Sequence, residues 1–259
     1  MKDDITKLNK KDSRLGWIPD LPDHRDKLMS ARMKVDPSTL PPSVDLSTAF
    51  PEVYDQGNLG SCTAQAIAAA LDFCHQRKEG TRFFPSRLFI YYNERVVIDT
   101  VNEDSGASLR DGIKSVNTIG ACREELWKHH IPNFKKKPTV DCYVEALNYQ
   151  AVDYNKLIHT DLNQLKQCLA NSFPFVFGVT LYSSFMDNGN GIIPFPSLGE
   201  EMQGGHAMIC VGYDDARNSF LVRNSWGEKW GLGGYCYIPY PYMTHRELAG
   251  DFWCITSAE

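Results

Sequence analysis

The sequence lacks three features that would each define a class of protein. It has no run of about 18 apolar residues, so no segment is long enough to span a membrane as a helix. It has no Cys-x-x-Cys pair, because its two closest cysteines, Cys62 and Cys74, are 12 positions apart, and this excludes a zinc knuckle. It has no excess of positive charge, since 27 Lys and Arg face 32 Asp and Glu. We therefore expect no membrane, no nucleic-acid partner, no metal and no other cofactor.

A secretory signal is also missing, because the chain begins MKDDITKLNKKDSRLGW, which is too polar and charged for one. The location is left open, between the cytoplasm and export by a route that the sequence does not show. Eight cysteines in 259 residues do not indicate a disulfide-rich scaffold. We expect most of them to be reduced, buried side chains, in a chain that acts as a monomer.

Three regions differ in residue pattern. Residues 1–39 are polar, rich in Pro and Asp and without helical periodicity, and we interpret them as a pro-like or strap segment. Residues 40–259 form the second unit, in which a mainly helical part, about 55–158, precedes a mainly strand-like part, about 159–259. Helices followed by strands, without an internal repeat, predict an α+β protein with two lobes.

Local patterns predict individual helices and strands. Ser108 and Asp161 offer N-caps, and Pro85 stands at a suitable first helical position. The predicted helices are 63–73, 85–95, 108–119 and 161–170. The predicted strands, short and rich in Val, Ile, Phe and Tyr, are Phe175–Leu181, Ala207–Tyr213, Ser219–Arg223, Tyr235–Tyr240 and Phe252–Thr256.

One stretch places a cysteine at the start of the Ala-rich helix. Gly57 and Gly60 allow a tight turn before Cys62. At a helix N-terminus, unpaired N–H groups and the helix dipole favour the thiolate, which is the form that attacks a carbonyl carbon. Gln56, across the turn, offers a side-chain amide that can donate to the oxygen that becomes negative in such an attack.

Two later stretches supply partners for a thiolate. His206 follows a Gly-Gly pair and opens an apolar strand, which presents an imidazole at the end of that strand. Asn224 opens a loop rich in Gly and Trp, and its carbonyl oxygen can accept the histidine N–H and set the tautomer. Each stretch alone has a plainer interpretation: a buried structural thiol, a structural histidine, and a loop with aromatic core residues. Only the three together indicate catalysis.

The three stretches resemble those of the papain and cathepsin cysteine peptidases. Gln56 to Cys62 matches the family's Gln-Gly-x-x-Gly-Ser-Cys, and His206 matches its His-Ala after glycine. Asn224 to Tyr235 matches its Asn-Ser-Trp-Gly-x-x-Trp-Gly-x-x-Gly-Tyr. The separations of 144 and 18 residues fit the family's order of Cys, His and Asn. The resemblance covers about residues 40–259.

The resemblance implies the two-lobed papain-like fold, with a helical N-terminal lobe, an antiparallel β-barrel-like C-terminal lobe and the active-site cleft between them. It also implies a peptidase for peptide or protein substrates, an endopeptidase ahead of an exopeptidase. In that chemistry Cys62 forms a thioester, His206 is base and acid, Asn224 orients the histidine, and Gln56 contributes to the oxyanion hole. The substrate-binding residues that the resemblance implies are Gly106, Ala107, Gly205, Trp226 and Ser257.

Two residues beside the nucleophile depart from the family pattern. Thr63 replaces a tryptophan, and Leu59 replaces a cysteine that forms a disulfide in the family. Both departures resemble the compact bacterial xylellain-like enzymes, which also share the stretch found here at Gly16–Asp26. That stretch has Trp17 and Ile18 as its obvious anchors. We hypothesise that it lies over the cleft and restrains activity; the alternative is a strap on the outer surface.

Two other classes of function stay open. One is a binding protein that kept the fold and lost catalysis, against which the intact Cys62, His206 and Asn224 argue. The other is an acyltransferase or ligase, which passes the acyl group to an amine or thiol instead of water and uses the same residues. The natural substrate is not indicated by the sequence.

Overall fold

The computed structural model describes residues 12–258, apart from 32, 35 and 187. The first lobe contains the helices α1 (Cys62–Glu79), α2 (Arg87–Val97), α3 (Leu109–Thr118) and α4 (Val140–Ala146). The first predicted helix has the correct position but is too short, because α1 continues through a charged last turn. Gly80, with a left-handed φ of 74°, ends it.

The second lobe is built on an antiparallel sheet. The strands are β1 (Ser43–Asp45), β2 (Ala151–Lys156), β3 (Phe175–Tyr182), β4 (Met202–Asp214), β5 (Ser219–Arg223), β6 (Tyr235–Pro239) and β7 (Ala249–Ala258). Their order in the sheet is β2-β7-β3-β4-β5-β6, and β1 pairs with β4. Three helices connect or flank the strands: α5 (Leu162–Ala170), α6 (Ser183–Met186) and α7 (Tyr240–Met243).

Both faces of this sheet are buried. Along β4, Ala207, Ile209 and Val211 belong to the core that includes α1, whereas Met208 and Cys210 belong to a second core that includes α5. Successive side chains of a strand point to opposite faces, so a strand buried on both sides needs apolar residues at nearly every position. This explains the continuous apolar runs that predict these strands.

One strand lies inside the region predicted to be mainly helical. β2 pairs with β7, whose residues are about 100 positions later in the chain. Its sequence, AVDYNK, has little strand character of its own, and its two bulges further weaken the alternation. The α+β prediction itself is confirmed by the observed elements.

The contact between the lobes determines where the chemistry-bearing residues lie. Helix α1 packs against β4 and β7. Cys62 is the first residue of α1, and His206 is the fifth residue of β4. The two residues therefore come from packed elements of different lobes. Within the described part of the chain, no helix is both long enough and apolar enough to cross a bilayer.

Candidate active site

The loop before α1 is held in a tight turn. Gly57 has a φ of 57°, in the region that favours glycine, and its amide donates to the Asp55 carboxylate at 2.9 Å. The amide of Gly60 donates to the Asp104 carboxylate at 3.0 Å. Cys62 then begins the helix and is fully buried. The turn brings Gln56 back towards the same helix end.

His206 and Asn224 are joined by a buried hydrogen bond of 2.8 Å between Nε2 and Oδ1. The backbone N–H of Ser225 donates to the same Oδ1 at 2.8 Å, which fixes the amide orientation. Since Oδ1 can only accept, Nε2 of His206 carries the proton. Nδ1 is buried without a hydrogen-bond partner among the described residues, and it is left as the basic nitrogen.

Gln56 connects the two lobes. Its Oε1 accepts the hydroxyl proton of Ser225 at 2.6 Å, and its backbone N–H donates to the Ser225 carbonyl at 2.9 Å. Its Nε2 donates to the carbonyl oxygens of Leu59 at 2.7 Å and Arg14 at 2.9 Å. The bond to Arg14 shows that this amide binds a peptide carbonyl at the site.

Trp226 covers the histidine. The ring centroids of Trp226 and His206 are 4.9 Å apart, and Trp226 also meets Phe185 and Trp230 edge to face. Such a wall of aromatic rings keeps water away from the bond between His206 and Asn224, which strengthens that bond.

Residues 12–26, called the strap below, cross this site, with an extended middle part between turns at Asp12–Leu15 and Asp23–Asp26. The N–H of Ile18 donates to the Ala107 carbonyl, and the N–H of Ala107 donates to the Gly16 carbonyl, both at 2.9 Å. The N–H of Trp17 donates to the Gly205 carbonyl at 3.1 Å. The strap thus pairs as a β-strand with both sides of the cleft, which here means the groove between Ala107 and Gly205.

Close approach of the two backbones requires glycine. A Cβ added to Gly106 would lie 2.0 Å from the Gly16 carbonyl oxygen, and one added to Gly205 would lie 2.5 Å from the Trp17 oxygen. A Cβ on Gly16 would lie 1.9 Å from the Gly60 oxygen. These glycines therefore let a main chain lie directly against the cleft walls.

The Trp17 side chain fills a pocket beside the cleft. Its ring packs directly against Gly178, where a Cβ atom would collide with it. Its Nε1 donates to the Asp251 carboxylate at 3.0 Å. Gly178 and Asp251 were not predicted as site residues. The sequence signals for them are weak: Gly178 interrupts an apolar strand, and Asp251 follows a glycine. In the structure, Asp251 adopts a left-handed φ of 56°.

The strap then turns into a cluster of buried charges. Asp20 accepts from Trp253 Nε1 at 3.0 Å and from the backbone N–H of Arg110 at 3.1 Å. The Arg110 guanidinium donates to Asp26 at 2.9 and 2.7 Å. Burial, and secondly the Asp20 carboxyl, raise the pKa of Asp251 to about 7. These contacts join residues 20–26 to α3 and β7.

The covered site holds its histidine neutral. Burial is the main cause that lowers the pKa of His206 to about 4, the hydrogen bond to Asn224 opposes this shift, and the Arg14 guanidinium adds to it. Arg14 lies over the Trp226 ring, with 4.2 Å between its guanidinium carbon and the ring centroid. The strap thus places two opposite charges near the buried imidazole, and Arg14, which lowers its pKa, has a larger effect than Asp12, which raises it.

The predicted substrate-binding residues do not all lie together. Gly106, Ala107 and Gly205 border the strap, and Trp226 lies between His206 and Arg14. Ser257 pairs with Asp153 of β2. Ala249, eight residues earlier in β7, pairs with Val179 of β3, which in turn pairs with His206. At about 3.3 Å per residue this is about 25 Å, which places Ser257 far along β7 from the part of the groove beside His206.

The departures beside the nucleophile have local partners. The hydroxyl of Thr63 donates to Glu94 at 2.8 Å, and burial raises the pKa of Glu94 to about 8. None of the eight cysteines forms a disulfide. Among the residues that the structure describes, no group of three or more His, Cys, Asp or Glu side chains is placed to hold a metal ion.

Comparison with known proteins identifies the family. The model of the papain family cysteine protease matches residues 40–247. The chain is similar to the solved structure of xylellain, a cysteine protease from Xylella fastidiosa, with 42% identity, a TM-score of 0.89 and coverage of 96% of this chain and 98% of that one. An uncharacterized peptidase C1-like protein of Acanthamoeba polyphaga mimivirus is 39% identical, over 93% of this chain and 86% of that protein. The fold is shared with proCathepsin B S9 from Trypanosoma congolense at 16% identity, with a TM-score of 0.75 and coverage of 95% and 87%. The chain belongs to the papain family of cysteine proteases.

Proposed function

We propose that the chain hydrolyses peptide bonds through a thioester on Cys62, with His206 as general base and acid and Asn224 holding the imidazole. The observation that carries the proposal is the arrangement of donors and acceptors around one peptide carbonyl. The Arg14 carbonyl accepts from Gln56, while His206 is oriented by Asn224 in the adjoining wall. A substrate carbonyl bound in the same way would meet a nucleophile at the start of α1.

The proposed reaction proceeds in two acyl transfers. Nδ1 of His206 takes the Cys62 proton, and the thiolate attacks the substrate carbonyl carbon. The resulting oxyanion accepts from Gln56 Nε2 and from the backbone N–H of Cys62. The imidazolium then protonates the leaving amine, the carbon–nitrogen bond breaks and the thioester remains. Water, deprotonated by His206, attacks the thioester and releases the acid and the thiol.

We propose the subsite roles from the strap contacts. Ala107 and Gly205 would pair with the substrate backbone, and Gly106 would allow its close approach. Trp226 would border the leaving-group side, near the position of Arg14, for a substrate that runs in the direction opposite to the strap. Gly178 and Asp251, rather than Ser257, would surround the side chain that replaces Trp17.

An endopeptidase mode is supported by the path of the strap. The chain from Asp12 to Arg14 lies on one side of the carbonyl that Gln56 binds, and Gly16 to Ile18 lie on the other side along the cleft. The groove therefore accommodates a polypeptide chain on both sides of the reacting position. This is what cleavage within a chain requires, whereas an exopeptidase needs one side closed.

We also propose that the strap keeps the enzyme inactive, as part of a pro-like segment spanning residues 1–39 ahead of a peptidase domain at 40–259. The strap occupies the donors and acceptors that substrate would use, and it lowers the pKa of His206. A neutral imidazole opposes the thiolate–imidazolium pair that attacks substrate. Displacement or cleavage of the strap would remove both effects.

The test compares Cys62→Ala with Cys74→Ala, which removes a thiol from the same helix. We expect Cys62→Ala to abolish turnover of a peptide library and Cys74→Ala to retain it. Gln56→Ala should lower kcat by about 10- to 1000-fold, as loss of one oxyanion donor does. Asn224→Ala should have a milder effect than Cys62→Ala, because it orients and does not react. Wild-type turnover in Cys62→Ala would refute the proposal.

The acyl acceptor is tested by product analysis. Turnover with and without an added amine separates hydrolysis from transfer, because a transferase would yield mainly the amide. Cleavage sites mapped on unblocked and terminally blocked peptides test the endopeptidase mode. Loss of cleavage on blocking either terminus would contradict it.

A further inference from the structure

A small cavity lies behind Asn224, between α1 and the strands β4 and β5. Its volume is about 10 Å³. A space of this size, about 10–15 Å³, is what one water molecule needs. Its walls combine apolar and polar residues: Tyr54, Gln65, Ala66, Ala69, Ala207, Met208, Ile209, Arg223, Asn224 and Ser225.

Two residues of this wall carry buried polar atoms without a hydrogen-bond partner among the described residues. They are Nδ2 of Asn224 and Oη of Tyr54. Both atoms are themselves buried, so neither has bulk water as a substitute. Buried donors in native proteins are nearly always paired with protein or with an ordered water, and two such groups on one water-sized cavity point to a shared partner.

We propose that a buried water in this cavity links Oη of Tyr54 to Nδ2 of Asn224, which makes Tyr54 a positioning residue of the active site. The positioning role rests on the proposed peptidase function, and the water itself does not. Nδ2 donates a hydrogen bond to the water, and a second hydrogen bond joins the water to the phenol oxygen of Tyr54. The other end of the amide is already held, because Oδ1 accepts from His206 and Ser225.

Tyr54 is suited to this role by its own restraints. Its ring lies under the guanidinium groups of Arg87 and Arg223, with centroid distances of 4.6 and 5.0 Å. Its carbonyl accepts from the N–H of Gly227 at 3.0 Å, which ties it to the loop that carries Asn224. Burial is the main cause that raises the pKa of Tyr54 to about 12, and the Asp72 carboxylate adds to it, so the phenol keeps its proton at neutral pH.

The effect on catalysis follows from the amide rotation. With Nδ2 held, Oδ1 stays in the plane of the imidazole and stabilises its protonated form. Without the link, Asn224 has more rotational freedom and the imidazolium is less stable. The pKa of His206 then falls, and the alkaline limb of kcat/KM moves to lower pH.

The test uses Tyr54→Phe, which removes only the hydroxyl, in the full chain. The matched control is Tyr235→Phe, because the Tyr235 hydroxyl accepts from Arg223 at 3.1 Å but Tyr235 does not line the cavity. We expect Tyr54→Phe to lower kcat by roughly 3- to 10-fold, the effect of one hydrogen bond, with KM unchanged. Its alkaline limb should shift to lower pH, and the control should match wild type. Equal pH profiles in both variants would overturn the positioning role.

A second measurement does not depend on peptidase activity. A crystal structure of Cys62→Ala at a resolution that orders waters should show one water within hydrogen-bond distance of both atoms. Absence of that water, or a Tyr54 hydroxyl directed at the neighbouring Asp72 carboxylate, would overturn the proposal. If the wild type has no turnover, the proposed function fails. NMR titration of His206 in Cys62→Ala, with and without Tyr54→Phe, then tests the positioning role: a lower pKa of His206 in the double variant supports it, and an unchanged pKa overturns it.

Discussion

The two halves of the strap contact the enzyme by different chemistry. Residues 14–18 use mainly backbone groups, with Gly16, Trp17 and Ile18 paired to the cleft walls and the Arg14 carbonyl bound by Gln56. Residues 20–26 use carboxylates, which meet Arg110 and Trp253. Backbone groups imitate any peptide, whereas carboxylates recognise particular partners. If the strap blocks the cleft as proposed, blocking and retention rest on different contacts, and we expect a change in the second half to release the first without altering Cys62, His206 or Asn224.

The largest effect should come from Trp17→Ala at the junction of the halves. Trp17 is 7% exposed, and removal of a buried Trp side chain costs about 3–5 kcal/mol. We expect the strap to open at least about 100-fold more often, measured by hydrogen exchange of the Ile18 amide and by basal peptidase activity. Ile18→Ala is the control, because its half-buried side chain can be lost without loss of the backbone bonds. Equal opening in the two variants would show that backbone pairing alone retains the strap.

Arg110→Ala tests the anchoring half. The Arg110 side chain is 8% exposed and pairs with Asp26, and a broken buried pair leaves an uncompensated carboxylate. Because Lys156 still reaches Asp26 at 3.1 Å, we expect a loss of about 2–3 kcal/mol, in the range for a buried unpaired group. Strap opening should rise about 30- to 160-fold. Arg123→Ala, which breaks a more exposed pair with Glu145, should change it little; equal effects would remove Arg110 from the anchor.

Asp251→Asn tests the charge of the anchor through pH. With the strap closed, burial and Asp20 hold the pKa of Asp251 near 7, and with the strap open we expect its ordinary value near 4. The closed state therefore binds the proton more tightly. The contribution of protonated Asp251 to the stability of the closed state is complete below about pH 4 and is lost as the pH rises through about 7.

The expected slope for one proton is at most about tenfold in opening per pH unit between those values. Asp251→Asn should remove it, as followed by exchange of the Ile18 amide after correction for intrinsic rates. His206 titrates in both proteins with the opposite sign, since the closed strap lowers its pKa. The difference between the two curves therefore isolates Asp251 together with Asp20, whose pKa burial also raises, and identical curves would contradict the role of Asp251.

The smallest effect should come from Arg14→Ala in the covering half. The Arg14 side chain is 32% exposed and its carbonyl, which Gln56 binds, is retained in the variant. Loss of its cation–π contact with Trp226 and its partly exposed pair with Asp12 should cost about 1 kcal/mol or less. Opening should rise no more than about fivefold, and the pKa of His206 measured by NMR should rise slightly. An effect larger than that of Arg110→Ala would reverse the comparison between the halves.

The sequence predicted the helix that begins near Cys62, the apolar strand after His206 and the family to which both belong. These are signals carried by adjacent residues: glycines before a helix, apolar residues in a run, and motifs of 7 and 12 residues. The end of α1 was misjudged because its last turn is charged and partly exposed, so only Gly80 marks it. β2 was missed because its partner β7 is distant in the chain.

The contacts of the strap lie beyond such signals. Trp17 was identified as an anchor because it is the only large aromatic side chain in a polar segment. Its partners, Gly178 and Asp251, are 161 and 234 positions away. Ser257 was placed near the cleft by a weak alignment, although the register of β7 carries it to the far end of the strand. A one-letter pattern does not contain the register of a seven-stranded sheet.

The sequence by itself determined the order of Cys62, His206 and Asn224, the local turn and strand that hold each, and the family that uses them. Only the tertiary structure decided that Gln56 binds a carbonyl of the chain's own strap, and that Tyr54 and Asn224 border one cavity. The physical reason is range. Propensity, capping and periodicity act over a few residues, whereas these contacts form when two lobes and a sheet pack, and their geometry depends on every residue in that packing.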